Sequence, residues 1–507
     1  MSRQDVQVVI AGAGPTGLVL ACELARRGIR VRLLEKGDRL FGGSRGKGIS
    51  PRLLEIFDDL GVVEEILAGS MSLTANVYQR DRLVTQVDAD AGTEATVDVP
   101  YPRQAIAPQW RTQDILRRRL REWGVDVEFG HEVTDAHQDA EGVRVSVERA
   151  GATEEIRAGY LVGCDGGRST VRRLIGLKLE GETRRTPFGA YVGDIEVTGL
   201  SPDVSHMWND PELGFLLLTP FKETSLWQFQ CLALPSADGT LPELSPAGFQ
   251  RLVDDITGMP INLGRSTWIS QFGVNERIVP RYRHGRVLLA GDAAHVYTPF
   301  GGQGMTTGAQ DAYNLGWKLA AALAGAPDRL IDTYEAERLP VAQHALAASA
   351  QRMAQVTGQL SHPAAPPTGV LHTINNTDTS QLRITYRNGP LARAEGGSTA
   401  TLAAGDRAPD GIALDPVSGA RTRLFDLFRG PQWTALVFGE VPRPKTPEAL
   451  YGNEIKVHRV AGPARDTYGI TGESTVLVRP DGYLGAVVPG ADLGAARNVV
   501  VVACGAA

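Results

Sequence analysis

Close to its N-terminus the chain switches between two apolar rhythms. Val6, Val8, Val9 and Ile10 make a continuous β-branched run, the pattern of a strand covered on both faces. Leu18, Ala21, Cys22 and Ala25 recur at helical spacing, and Gly28 ends that helix. Val31, Leu33 and Leu34 form a second strand that stops at Glu35. The stretch QDILRRRLREWG (113–124) predicts another helix with a charged outer face, and 142–169 predicts a hairpin followed by a buried strand.

The rhythm changes between about 181 and 275. GFLLLTPF, SLWQFQCLALP and STWISQF read as strands carrying aromatic residues, a sheet-rich insert suited to covering a flat molecule. An α/β pattern returns with the apolar run Val287–Leu289 and the helix GAQDAYNLGWKLAAALAG. The next helix, TYEAERLPVAQHALAASAQRMAQV, is expected to kink or break at Pro340. Residues 358–400 have little pattern and hold SHPAAPPTG, which suggests a linker or packing segment. From 401 to 507 new strand signals, TALVFG and STVLVRPDGYLGAVV, predict a small separate α/β domain. The expected organisation is a discontinuous first domain over 1–180 and 276–357, a sheet domain over 181–275, the linker, and the C-terminal domain.

Composition changes this picture little but excludes much. With 507 residues, 42% hydrophobic and 22% charged, the chain can bury several ordinary globular cores. A net charge of −6 argues against a nucleic-acid footprint. No apolar run is long enough to span a membrane, and the N-terminus lacks the regions of a signal peptide, so a cytoplasmic protein is expected. Cys22, Cys164, Cys231 and Cys504 are widely spaced, with no metal or redox pairing pattern, and read as buried free thiols.

Three strands end in acids beside glycines. Gly12, Gly14 and Gly17 form G-x-G-x-x-G between a strand and a helix. The first glycine permits the turn, the second lets a pyrophosphate approach, and the third lets helix and strand pack closely. The helix N-terminus offers free N–H groups to the phosphates, and Glu35 stands where a ribose-binding acid belongs. Further strands run into GCDGGRSTVRR at Asp165 and AGDAAH at Asp292. Ligands of open parallel sheets lie at the carboxyl ends of strands, so three such ends predict a long ligand lying across them.

GAGPTG, CDGGRS and GDAAHVYTPFGGQGM, in that order over about 1–350, resemble the single-component FAD-dependent aromatic hydroxylases, the para-hydroxybenzoate hydroxylase and phenol hydroxylase class. The likeness is strongest to bacterial enzymes that tailor aromatic polyketides or modify antibiotics. It implies an FAD-binding Rossmann-like domain of the glutathione-reductase type, a sheet-rich substrate domain, and a thioredoxin-like C-terminal domain, here without CxxC. It also implies NADPH or NADH as a transient cosubstrate, O₂ activated as a flavin C4a-hydroperoxide, and a small aromatic substrate. The alternatives on this scaffold are Baeyer–Villiger oxygenation, antibiotic-inactivating hydroxylation, or a dehydrogenase or reductase. No nucleic-acid or membrane partner is expected, and the protein is expected to be a monomer or homodimer.

Residue by residue, the resemblance assigns Gly12, Gly14, Pro15, Thr16, Gly17, Glu35, Lys36 and Val133 to the ADP half of the cofactor. Arg45, Gln109, Arg111 and Asp292 fall to its pyrophosphate and ribityl part, and Asp165 lies near FAD in a motif used for NADPH handling. Pro299, Gly302, Gly304, Met305 and Thr306 would hold the flavin ring, the last two through backbone N–H groups. Pro299 and Arg45 would stand at the reacting face. His295 reads as structural rather than as a base. Phe215, Leu217, Trp227, Phe229 and Phe300 are candidate substrate contacts, with Trp208 and Phe272 behind them. The chain departs from the family where GGSRGKG replaces the commoner SRALG, and where Thr306 and Ala309 replace Asn and Ile. No metal site is expected.

Overall fold

The computed structural model describes residues 6–184, 186–236, 238–298, 303–360, 377–392, 397–439 and 449–503. The apolar runs read from the sequence form the centre of a six-stranded sheet. Its order is Arg283–His284, Val287–Leu289, Tyr160–Gly163, Val8–Ala11, Val31–Glu35 and Val127–Phe129. All neighbours are parallel except the edge pair Arg283–His284 with Val287–Leu289. Val8 pairs with both Tyr160 and Val31, and Leu161 pairs with Val287, so the glycine strand lies between the strands leading to Glu35 and Asp165, and the strand leading to Asp292 comes next.

Two long helices cover this sheet. Pro15–Ala25 lies against Gln303–Leu323, and their approach is set by small residues. A Cβ on Gly308 would come within 2.5 Å of Thr16 Oγ1, and one on Gly316 within 2.5 Å of Glu23 Cβ. The Arg329–Leu360 helix continues through Pro340 without the expected break.

A seven-stranded sheet stands beside the first, in the order Asn262–Phe272, Gly189–Thr198, Leu226–Ala233, Gly214–Pro220, Ser205–Asp210, Thr74–Gln79 and Arg82–Asp88. The hairpin over 74–88 belongs to this sheet although the sequence pattern grouped it with the first domain. One face packs on the helix Pro246–Thr257, absent from the sequence reading. Ser245 caps that helix by accepting from Gly248 N at 3.0 Å, and Gly258, at φ 61°, ends it. Phe229 stacks on Phe249 of the helix at 4.4 Å between ring centres.

The C-terminal stretch builds a five-stranded mixed sheet in the order Ala449–Leu450, Asn453–Arg459, Trp433–Phe438, Ser474–Val478 and Leu484–Pro489. The turn after Val478 enters the first domain. Arg479 pairs with Glu337 at 2.7 Å, and Asp481 accepts from Asn314 at 3.1 Å and Trp317 at 3.0 Å, all of them buried. Cys22, Cys164 and Cys231 are buried and free, and burial pushes all three thiols up, so they are unreactive. Cys504 lies outside the described residues.

Candidate active site

The glycine loop opens the site. Gly12 takes φ 98°, where a Cβ would lie 2.5 Å from the Cys164 carbonyl, and a Cβ on Gly17 would lie 2.0 Å from the Gly12 carbonyl. These two glycines are therefore required by the protein's own backbone. Gly14 differs: a Cβ there would meet nothing within 4 Å. It faces open space at the N-terminus of a helix whose cap has no side-chain hydrogen bond and whose first residue, Pro15, has no N–H to satisfy. A phosphate fits that space and those free amides.

Around the loop, Glu35 accepts from Ala13 N and Gly37 N, each at 3.0 Å, and so sits at the rim of the groove. Lys36 is exposed beside it, and Val133 is buried in the core of the same domain, opposite Val147. The Thr16 side chain turns away from the groove, wedged between Gly291 and Gly308, which leaves its backbone amide for a ligand. One oxygen of Asp165 caps the Thr170–Leu174 helix by accepting from Thr170 N at 2.6 Å, while its other oxygen is buried without a partner. Asp292 is exposed at the end of its strand. Although its side chain opens to the groove, burial of the carboxyl among the surrounding protein raises it, with His295 and Arg45 acting in the opposite sense.

The far end of the groove is formed by the start of the Gln303–Leu323 helix. A Cβ on Gly304 would meet nothing within 4 Å, and Thr306 is buried with its hydroxyl unpartnered. Across from it runs the loop Ser44–Gly48. A Cβ on Gly46 would lie 3.8 Å from Met305 Cβ, so loop and helix start face one another closely. Gln109 holds this loop: its Oε1 accepts from Gly46 N at 3.2 Å, and its own N donates to Ser44 Oγ at 3.2 Å. Arg45 lies over the Phe41 ring at 4.7 Å. Pro299, Phe300 and Gly302 lie outside the described residues.

Two expectations are redistributed. Arg111 spends its guanidinium on the carbonyls of Gly69 at 2.8 Å and Lys222 at 2.7 Å, tying two loops to its helix. Those bonds aim it away from the groove. The aromatic candidates were expected on one surface, but strand alternation splits them. Phe215, Leu217 and Phe272 cluster with Phe188, Met353 and Val356 on the inner face. Trp208, Trp227 and Phe229 cluster with Phe249 on the opposite face, under the 246–257 helix. Trp227 and Phe229 are core residues there, facing away from the surface on which substrate contact was expected of them.

The inner face holds polar residues that the aromatic reading passed over. Asp194, Gln228 and Thr219 form one cross-strand row, and Gln230 and Leu217 belong to the next. Gln228 Nε2 donates to the Ser44 carbonyl at 2.5 Å. Behind the groove, His295 is fully buried with Nε2 2.6 Å from Asp311, whose other oxygen binds Arg338 at 2.8 Å. Burial opposes its charge, yet Arg338 and His295 hold the Asp311 carboxyl below its ordinary range. His295 thus joins the segment after Asp292 to the two long helices through Asp311 and Arg338, which no local motif connects to it.

A glycine-loop helix, two further acid-tipped strands and a second amide-bearing helix start define a long dinucleotide groove of the flavin type. The chain matches the FAD binding domain family over residues 5–349, and it belongs to that family. It is 43% identical over 498 residues to a flavin-dependent monooxygenase of Mycobacteroides abscessus, covering 94% of this chain and 96% of the relative. It is 34% identical to 6-methylpretetramide 4-monooxygenase of Streptomyces rimosus, with 95% and 90% covered. Aklavinone-11 hydroxylase, solved with FAD and aklavinone, superposes with a TM-score of 0.78 at 25% identity over 99% of this chain and 100% of that one. The protein is an FAD-dependent monooxygenase, and the open space at Gly14 and Gly304 and the unpartnered atoms of Asp165 and Thr306 fit that cofactor. Among the described residues no helix is long and apolar enough to cross a membrane, and no cluster of side chains could hold a metal ion.

Proposed function

We propose that this protein hydroxylates a polycyclic aromatic substrate carrying a phenolic hydroxyl, using NAD(P)H and O₂. The observation that carries this reading is the closeness of the Ser44–Gly48 loop to Met305, with the apolar Phe215–Leu217 face beginning where that loop is clipped to the sheet. A redox ring held by one side would meet a flat apolar molecule held by the other.

The amides of the first turn after Gly14 and the carboxylate of Glu35 hold the diphosphate and ribose. Met305 and Thr306 present N–H groups at a helix start, whose partial positive charge favours an electron-rich ring edge. Bound FAD supplies the redox chemistry, taking electrons from NAD(P)H and delivering them to O₂. Phe215, Leu217, Phe188, Phe272, Met353 and Val356 exclude water from the space where oxygen transfer occurs. The resemblance gives Pro299 and Gly302 to the flavin ring, Phe300 to the substrate and Arg45 to the reacting face. The first domain binds the cofactor, the sheet domain the substrate, and the C-terminal domain serves as a thioredoxin-like packing module acting in the cytoplasm as part of a monomer or homodimer.

The purified protein is expected to be yellow and to oxidise NADPH faster with a polycyclic phenol present, giving a product one oxygen heavier by mass. NADPH consumption that no polycyclic phenol accelerates, with products unchanged in mass, rejects the proposal.

A further inference from the structure

The GGSRGKG stretch places a lysine where the resemblance gives no role. Lys47 leaves the loop beside the Met305 cradle and reaches the inner face of the substrate sheet. There its Nζ donates to Thr219 Oγ1 and to Gln230 Oε1, both at 2.7 Å. These are neutral acceptors, and two bonds leave the third hydrogen of an ammonium, or the lone pair of an amine, for another molecule. In the same cross-strand row as Thr219, beyond Gln228, stands Asp194, fully buried, with neither carboxylate oxygen hydrogen-bonded at good geometry. Thus two ionisable groups face each other on the floor of the site without closing an ion pair.

Such an arrangement is a poor clip. Burying charge without full pairing costs stability, and a hydrophobic residue of the same length would fasten the loop as well. Groups of this kind are retained where their proton exchange is used. The environment points the same way. Burial lowers the Lys47 amine to about 7, with Asp194 acting against it, and burial raises the Asp194 carboxyl to about 6, with Ser44 and Lys47 acting against it. The other groups packed on them, Gln228, Gln230 and Thr219 from the sheet and Ser44 from the loop, do not ionise, and Arg45 turns outward over Phe41.

We propose that Lys47 is a catalytic base for this enzyme: its neutral amine takes the proton of the substrate hydroxyl, and Asp194 is the positioning residue that keeps the resulting ammonium charged. The inference rests on the proposed function. The substrate O–H bond breaks, an N–H bond forms on Lys47, and the oxygen keeps the electron pair as a phenolate. Ionisation pushes electron density into the ring, so the carbons ortho and para to that oxygen become better nucleophiles toward an electrophilic oxygen. The proton returns to the product oxygen before release, so no net charge is consumed. The location suits the step: Leu217 adjoins Gln230 across the strands, and Phe215 is two residues further along the same strand. A phenol lying on that apolar face would bring its hydroxyl to Nζ.

The test uses the FAD-loaded, oxidised protein without NADPH, so no turnover occurs. Alizarin, a hydroxyanthraquinone whose phenolate absorbs beyond the flavin bands, heads a panel of polycyclic phenols, and ionisation of the bound probe is titrated by absorbance. In Lys47→Met the apparent ionisation constant of the bound probe is expected to fall about tenfold or more, one pH unit upward, while affinity for the neutral form at low pH stays within about threefold. Asp194→Asn is expected to move the midpoint in the same direction by less, and Asp194→Glu to restore it. An unchanged midpoint in Lys47→Met overturns this inference and leaves the proposed function standing. Failure of the wild-type holoenzyme to bind any of the panel overturns both.

Discussion

Glycines of one motif do different work here. Gly12 and Gly17 are demanded by neighbouring carbonyls, whereas Gly14 touches nothing and adopts φ −70°, which any residue tolerates. Gly14→Val is therefore expected to give a folded, colourless protein whose apoprotein melts within about 0.5 kcal/mol of wild type, as ordinary surface changes do. Gly17→Ala is expected to lower stability itself. Equal FAD content in Gly14→Val and wild type, read by absorbance, rejects the groove. Lys47 and Asp194 make the opposite point about legibility. The glycine spacing is local and could be read directly, but Lys47 and Asp194 are joined only by sheet register. Their linkage with folding has definite signs. The Lys47 amine falls from 10.5 to about 7 on folding, so between those values the unfolded chain holds more protons and stability rises with pH. The Asp194 carboxyl rises from 3.8 to about 6, so stability falls with pH across that window. Lys47→Met should therefore be more stable than wild type below pH 7, with the gain fading toward 10.5. Chemical denaturation of the apoprotein at several pH values checks this, and a variant less stable than wild type at pH 6 contradicts it.

Secondary elements were legible where one rhythm ran long. The buried parallel strands declared themselves as β-branched runs, and the helix over 113–124 by its spacing, extending in the structure to Gln109–Glu122. The aromatic strands were found as strands, but their facing was not, because a sheet packed on both sides gives no polar face to orient it. Gln228 and Gln230, alternating with Trp227 and Phe229, held that information. Polar residues inside an apolar strand mark the face that meets a loop or ligand. The expected consequence separates stability from binding. Phe229→Ala, which removes the ring stacked on Phe249, should cost about 3–5 kcal/mol of stability and leave the affinity for a bound phenol unchanged. Leu217→Ala should weaken phenol binding. If Phe229→Ala weakens binding as strongly as Leu217→Ala at matched folded fraction, the facing described here fails.

At the scale of the molecule, the C-terminal sheet is fastened by charges that are buried inside its neighbour. Glu337 on the long helix meets Arg479 from the C-terminal turn and Lys318 from the Gln303–Leu323 helix, at 2.7 Å each. The sequence separations, 142 residues for Arg479 and 19 for Lys318, explain why no motif revealed them. Burial disfavours the Glu337 charge, but Arg479 and Lys318 outweigh it and hold the carboxyl at about 2, below the ordinary 4.5. A depressed carboxyl stabilises the fold above its unfolded value and loses that contribution as pH falls toward the folded one. Acid should therefore loosen the docking between about pH 4.5 and 2. Arg479→Met leaves Asp481 buried without that partner and Glu337 with the Lys318 ammonium and the Asn314 amide, a change of the kind that costs about 3–5 kcal/mol. The docked sheet also shields Trp317, which meets Trp433 edge-on at 5.5 Å across the boundary. Wild type at pH 7 should thus unfold with calorimetry and tryptophan fluorescence in step, because the two cores share buried side chains. Arg479→Met should separate the signals, with Trp317 and Trp433 released before the FAD-binding core melts. Coincident transitions in both proteins at equal midpoint would show that the apolar contact alone holds the sheet and that the buried charges are incidental to docking.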